Sequence, residues 1–333
     1  MNGPARPLNI TIAGAGSIGC FVGGLLAHHG HTVRFLTRAR VVTEVTQRSG
    51  LKLTDYAGMD LWLPAPDFSD DPSVLSSADV ILVTVKSSAT AEMAGLITQH
   101  AKPEALIISL QNGVGNTSTL RDVLQSHDVR AGMVPFNVVS GEAAAYHCAT
   151  SGNIEVGAGA LPDLNTDHLA WKSVDNIEAV QWGKLLINLG NALNALSGLT
   201  LYEQLQDRAW RRLIADQMAE ALGILKASNM VPAKTTAAPP ALIPHVLRLP
   251  TPLFKRVAAQ MLTIDPTARS SMWDDLMKRR VTEIDALQGV IVDLAVGVGR
   301  PSPLNSKVSE LIKLAEAAGA GPPGLTVQDI VNA

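Results

Sequence analysis

Three features of the 333-residue sequence predict an α/β fold, with a parallel-sheet domain followed by an all-α domain. A strand-like run near the start of the chain ends in a glycine turn and passes into a helix. Two near-continuous apolar runs follow at 78–85 and 105–110, as expected of strands buried on both faces. Around Asp175 the texture changes from strand-and-turn to long helical periodicity. The boundary is therefore expected near residue 172, giving domains 1–172 and 173–333.

Residues 8–13 alternate around Ile10 and Ile12, and residues 20–29 read as a small-residue helix closed by Gly30. Between them lies Gly14-Ala15-Gly16-Ser17-Ile18-Gly19. Strand, G-x-G-x-x-G and helix in that order make a dinucleotide fingerprint, so the first domain is expected to be Rossmann-type. The first glycine permits the tight turn, the second lets backbone approach a pyrophosphate, and the third lets helix pack on strand. Phosphates would sit at the helix N-terminus, beside Ser17 and Ile18, where unpaired N–H groups and the dipole favour anions.

The second strand, 32–36, runs into Thr37-Arg38-Ala39-Arg40. An acid at this point binds the ribose hydroxyls of NAD, whereas an arginine accommodates the extra phosphate of NADP. No Asp or Glu occurs between Gly19 and Glu44, so NADP is expected, with Arg38 or Arg40 as the 2′-phosphate ligand. Residues 50–66 alternate weakly around Gly58 and read as a hairpin. The apolar run 78–85 ends at Lys86, a helical stretch follows over 89–100, and the run 105–110 ends at Gln111-Asn112-Gly113. Lys86 and Asn112 thus lie just past the carboxyl ends of strands, the edge where open α/β sheets bind ligands. Extended patterns over 130–157 are expected to finish the same sheet.

In the second domain, 182–196 is a helical segment with Lys184, Asn188 and Asn191 on one face and leucines on another. Asn is unfavourable in a helix interior by roughly 0.5–0.7 kcal/mol relative to Ala, and a merely solvated face would carry Glu, Lys, Arg or Gln instead. A cation with two carboxamides in register offers donors and acceptors to a polar ligand. Further helical stretches are expected over 207–230 and 305–318, separated by a proline-rich connection at 231–252. Ser271 and Asp274 have the spacing of a capping box, and Glu283 follows Arg279 by one helical turn.

Bulk properties narrow the function classes. Apolar residues make up 47% of the chain and charged residues 17%, which suits a packed core and excludes a disordered chain. A net charge of −3 leaves no electrostatic footprint for nucleic acid. No run of 18 apolar residues occurs, so no membrane span is expected. The two cysteines, Cys20 and Cys148, form no disulfide framework and no metal-type spacing, which fits a reducing, cytoplasmic setting and a site without metal.

Taken together, the motifs resemble those of the ketopantoate reductase (2-dehydropantoate 2-reductase) family. They are Gly14-x-Gly16-x-x-Gly19, Arg38, Val85-Lys86, Gln111-Asn112-Gly113-Val114-Gly115, Trp182-x-Lys184-Leu185-x-x-Asn188, Ser270-Ser271-Met272 and Thr282-Glu283-Ile284-Asp285. The resemblance implies NADPH-dependent reduction of a 2-keto acid, ketopantoate above all, to a 2-hydroxy acid. It implies Lys184 as general acid, and Asn112 and Asn188 orienting substrate and cofactor. Ser271 would hold the carboxylate end of the substrate, and Glu283 would bind a substrate hydroxyl and position Lys184. A homodimer is also implied, and the apolar helices allow one. Two departures concern the substrate rather than the reaction. Ala268 stands where the family commonly has asparagine, and Asn191 follows Asn188 by three residues where well-known members have four. Two other readings remain open: a related reductase of another carbonyl or an imine, and a non-catalytic NADP(H) sensor.

Overall fold

The structure, a computed structural model, describes residues 6–47, 50–141, 144–236, 238–259 and 266–332. The chain divides into two compact units, Met1–Glu178 and Ala179–Ala333.

The first unit contains strands β1 (Asn9–Ala13), β2 (Thr32–Leu36), β3 (Gly50–Asp55), β4 (Asp60–Pro64), β5 (Asp67–Ser69), β6 (Val80–Val83), β7 (Leu106–Ser109), β8 (Asp128–Met133), β9 (Val138–Ser140), β10 (Ala145–Cys148), β11 (Ile154–Gly157) and β12 (Trp171–Val174). Its helices are α1 (Ser17–His28), α2 (Ala39–Thr46), α3 (Thr90–His100) and α4 (Asn116–Val123). Among the described residues, eight strands form one sheet in the order β12-β11-β8-β7-β6-β1-β2-β5. All neighbours in it are parallel except β8 and β11. Strand β12 pairs in parallel with β11, so the first unit runs past the boundary expected at 172.

The apolar runs are continuous because both faces of the sheet are covered. Ile10, Ile12, Val80, Leu82 and Ile108 join Phe21, Val22, Leu25 and Leu26 of α1 in one core. Ile81, Val83 and Ile107 join Met93 and Ile97 of α3 and Leu120 of α4 in the other. Of the strands expected over 130–157 to finish the sheet, β8 and β11 do so, while β9 and β10 correct the expectation. Those two strands join the hairpin β3–β4, which forms as expected, in a second sheet of order β4-β3-β10-β9. Its inner residues, Leu51, Leu53, Tyr146 and Cys148, belong to the α1 side of the core, so the hydrophobic surface of that helix draws these strands away.

The second unit is helical among the described residues: α5 (Ile177–Asn188), α6 (Gly190–Ser197), α7 (Leu201–Gln206), α8 (Arg208–Ala227), α9 (Ile243–Arg248), α10 (Thr251–Val257), α11 (Ser271–Met277), α12 (Val290–Gly297), α13 (Pro303–Ala318) and α14 (Val327–Asn332). The proline-rich connection carries α9 and α10, whose prolines occupy the first turn, where a missing N–H is harmless. A π-turn, Asp285–Gly289, precedes α12.

Candidate functional site

In the first unit the adjacent strands β7, β6, β1 and β2 run parallel, so the turns at their carboxyl ends lie side by side. Those turns bring together Asn112, Lys86, the Gly14–Gly19 loop and Arg38. Gly14 stands at φ +113°, and its N–H donates to the Leu36 carbonyl at 3.0 Å. A Cβ on Gly19 would meet the Gly14 carbonyl and come within 2.6 Å of the Thr84 hydroxyl, which itself donates to that carbonyl. Gly16, by contrast, has open space where a Cβ would stand, and it caps α1 without a side-chain hydrogen bond. The first turn of α1 therefore presents backbone N–H groups beside an open cradle, which suits a pyrophosphate. Gly19→Ala is expected to weaken binding of a reduced dinucleotide at least tenfold, measured by fluorescence titration.

Arg38 and Arg40 are exposed at the start of α2, with Arg38 at its N-cap. Lys86 is half-buried, and Asn112 is exposed between the buried Gln111 and Asn116.

In the second unit the polar face spans α5 and α6, which are separated at Leu189. Lys184 is half-buried, Asn188 is buried and Asn191 is half-buried. Burial pushes the Lys184 ammonium down to about 8. Helix α5 is held close by the segment around Ala233, whose N–H donates to the Ala179 carbonyl at 2.7 Å. A Cβ on Gly183 would strike the Ala233 carbonyl, so only glycine fits beside Lys184.

Two distant segments are tied to this helix pair. The Ser270 hydroxyl donates to the Asn191 carbonyl at 2.9 Å, and the Ser270 N–H donates to the side chain of the fully buried Asn194 at 2.9 Å. That places exposed Ser271 in the turn directly after an anchor on α6. Gln288, buried in the π-turn five residues after Glu283, donates from Nε2 to the Leu189 carbonyl at 2.8 Å. Glu283 itself is half-buried. Residues 189–194, Ser270 and Gln288 thus meet within one unit.

The expected cap is corrected by one residue. Ser270, in extended conformation, accepts from the Trp273 N–H and caps α11, while Ser271 is the first helical residue. The hydroxyl at 271 is thereby released from capping. Sequence reasoning assigned no role to Thr84, Thr90, Gln111, Asn116, Asn194 or Gln288. Each has at least one partner remote in the chain, and such contacts leave no periodic signal. Among the described residues no group of three His, Cys, Asp or Glu could hold a metal, and no helix is long and apolar enough to cross a membrane.

A doubly covered parallel sheet with a glycine cradle at its carboxyl edge, followed by a helical unit with a desolvated lysine, defines a dinucleotide-dependent oxidoreductase. The model of the ketopantoate reductase PanE/ApbA family matches residues 10–160, and that of its C-terminal domain matches 176–316. The chain belongs to the ketopantoate reductase family, whose members are nicotinamide-dinucleotide-dependent oxidoreductases. It is 24% identical to a 2-dehydropantoate 2-reductase of Halobacterium salinarum, covering 94% of this chain and all of that one. To the Bacillus subtilis enzyme of the same name it is 28% identical, over 86% of this chain and 90% of the other. A ketopantoate reductase structure from Ralstonia eutropha superposes with a TM-score of 0.80 at 27% identity, covering 94% of this chain and 99% of that one. D-mandelate dehydrogenase, solved with NADH and anilino(oxo)acetate, shares the fold at 19% identity and a TM-score of 0.76, with 94% and 99% of the chains covered.

Proposed function

We propose that the chain catalyses the NADPH-dependent reduction of a 2-keto acid to a 2-hydroxy acid, with 2-dehydropantoate the first substrate to test. The observation that supports this reading is that the α5–α6 pair, which carries Lys184, Asn188 and Asn191, is tied at Asn191 to the Ser270 turn and at Leu189 to the π-turn that follows Glu283. Bound NADPH supplies the hydride. Reduction of the carbonyl carbon leaves negative charge on oxygen, and the Lys184 ammonium stabilises that charge and donates the proton. A lysine brought down to about 8 is close to a working pH, so it gives up its proton readily and regains it from solvent. Asn188 and Asn191 orient the polar groups of the substrate, Ser271 binds the carboxylate end, and Glu283 binds a hydroxyl and fixes the lysine. On the first unit, Gly14, Gly16, Ser17, Ile18 and Gly19 hold the pyrophosphate, Arg38 or Arg40 the 2′-phosphate, and Lys86 and Asn112 the remainder of the dinucleotide. The absence of any acid between Gly19 and Glu44 supports NADP over NAD.

The test is oxidation of NADPH and NADH, followed by absorbance, with 2-dehydropantoate and a panel of alkyl and aryl 2-keto acids. Turnover is expected at least tenfold faster with NADPH under subsaturating conditions. Arg38→Ala should raise the KM for NADPH about tenfold, equivalent to ~1.4 kcal/mol, and leave that for NADH unchanged. If Arg40 is the ligand, the same signature moves to Arg40→Ala. Tight NADPH binding without turnover on any carbonyl would overturn the reductase reading in favour of a sensor. Because Ala268 stands where an amide is usual, turnover confined to another 2-keto acid would keep the reaction and change its substrate.

A further inference from the structure

Lys86 and Asn112 stand on separate turns, after β6 and β7, and five buried or half-buried side chains join those turns into one body. The Ser109 hydroxyl donates to Gln111 Oε1 at 3.0 Å. Gln111 Nε2 donates to the Val85 carbonyl at 3.0 Å and to the Thr90 hydroxyl at 2.7 Å. The Thr90 hydroxyl donates to Asn116 Oδ1 at 3.0 Å. Asn116 Nδ2 donates to the Ser87 hydroxyl at 3.1 Å and to the Asn112 carbonyl at 2.8 Å. Every N–H of the two carboxamides is used, and each carboxamide oxygen accepts a hydroxyl. Turning either amide over would set its oxygen against a carbonyl oxygen, so both orientations are fixed by their surroundings.

Thr90 is the node of this relay. It is 2% exposed, and it is the one hydroxyl that both accepts from Gln111 and donates to Asn116. Gln111 reaches back to the residue before Lys86, and Asn116 grips both the residue after Lys86 and the backbone of Asn112. A buried cluster of this kind is not needed to fill space, since valine and leucine have similar shapes without the desolvation cost. What apolar side chains cannot do is fix one turn relative to the other.

We infer that Thr90 and Asn116 are positioning residues for the dinucleotide, setting the Lys86 and Asn112 turns at the distance the cofactor spans. This rests on the proposed use of the carboxyl edge for NADPH. Neither residue touches the cofactor; each acts through the turn it holds.

The test uses the full chain and NADPH, with the dissociation constant from nicotinamide fluorescence and melting followed in parallel. Thr90→Val keeps the shape and removes the relay; it is expected to weaken NADPH binding about tenfold, with kcat at saturation within threefold of wild type. Thr90→Ser restores the hydroxyl and should recover affinity to within about twofold. Because Thr90 acts through the Lys86 and Asn112 turns together, adding Thr90→Val to the Lys86→Ala/Asn112→Ala pair should weaken binding no more than twofold beyond the pair alone. Asn116→Leu, a second variant at the other end of the relay, should reproduce the loss of affinity. A folded Thr90→Val with wild-type affinity overturns the inference, as does a loss that adds fully to that of the Lys86→Ala/Asn112→Ala pair. A wild-type chain that binds no reduced dinucleotide overturns the functional reading and this inference together. Tight wild-type binding with unaltered variants overturns this inference alone.

Discussion

Lys184→Met is expected to lower kcat for keto-acid reduction by ~10²–10⁴-fold, the range for loss of a general acid, while NADPH affinity stays within about twofold. The same substitution should raise thermal stability at neutral pH. Burial brings the Lys184 ammonium down to about 8, whereas an unfolded lysine titrates near 10.4. Between those values the unfolded chain binds more protons than the folded one, so wild-type stability rises as pH climbs from about 8 towards 10. Below about 8 the folded protein carries a desolvated charge at its full penalty, and methionine removes it. Melting curves at pH 7 and pH 10 check this: the variant should exceed wild type at pH 7, and the difference should shrink at pH 10. Activity runs in the opposite sense. The acid must be protonated, so wild-type kcat/KM should fall about tenfold per pH unit above about 8. A variant that kept its turnover would remove Lys184 from the reaction. A variant less stable at pH 7 would show instead that the ammonium's contacts outweigh its desolvation.

That opposition between stability and activity was only half legible in the sequence. The helix periodicity placed Lys184, Asn188 and Asn191 on one face, because a 3.6-residue repeat can be read from the chain itself. The degree of desolvation could not be read, since it depends on the segment around Ala233 closing on Gly183, some fifty residues away. The fingerprint Gly14–Gly19 was legible for the same local reason, and so were strands β6 and β7. The second sheet was not. Its strand β3 pairs with β10 across more than ninety residues, and alternation alone does not say which sheet a strand joins. The cap on α11 was misplaced by one residue because Ser270 and Ser271 are equivalent as letters. Only the extended backbone at Ser270, anchored through Asn191 and Asn194, distinguishes them. The Thr90 relay was illegible because its members come from the end of a strand, two turns and the first residues of two helices, each with ordinary composition.

Arg211 is the extreme case, and the second large effect is expected there. The helical stretch expected over 207–230 does not single it out, yet it is fully buried. Its five N–H groups all find acceptors: Nε the Leu247 carbonyl at 3.2 Å, Nη1 the Leu205 and Gln206 carbonyls at 2.8 and 3.2 Å, and Nη2 the Leu249 carbonyl and Thr251 hydroxyl at 3.1 Å each. The Phe254 ring covers the guanidinium at 4.3 Å. No carboxylate takes part in these contacts. The carbonyls belong to the C-terminal ends of α7 and α9, where helices leave acceptors unpaired and the dipole is negative, so helix ends supply the counter-charge. One planar side chain thus closes α7, α9 and the start of α10 around α8. Arg211→Met fills much of the volume but leaves four carbonyls and a hydroxyl without their donor, at ~1–3 kcal/mol for each group that water cannot reach. Allowing for relaxation, a loss of about 3–5 kcal/mol is expected, or ~10 °C in the melting of the helical unit. Arg211→Lys retains the charge but offers three donors without the planar fork, so it should recover only part of the loss. Equal stability of the lysine variant and wild type would show that charge alone holds the helix ends. A methionine variant that melts like wild type would mean that the five hydrogen bonds contribute no more than packing does.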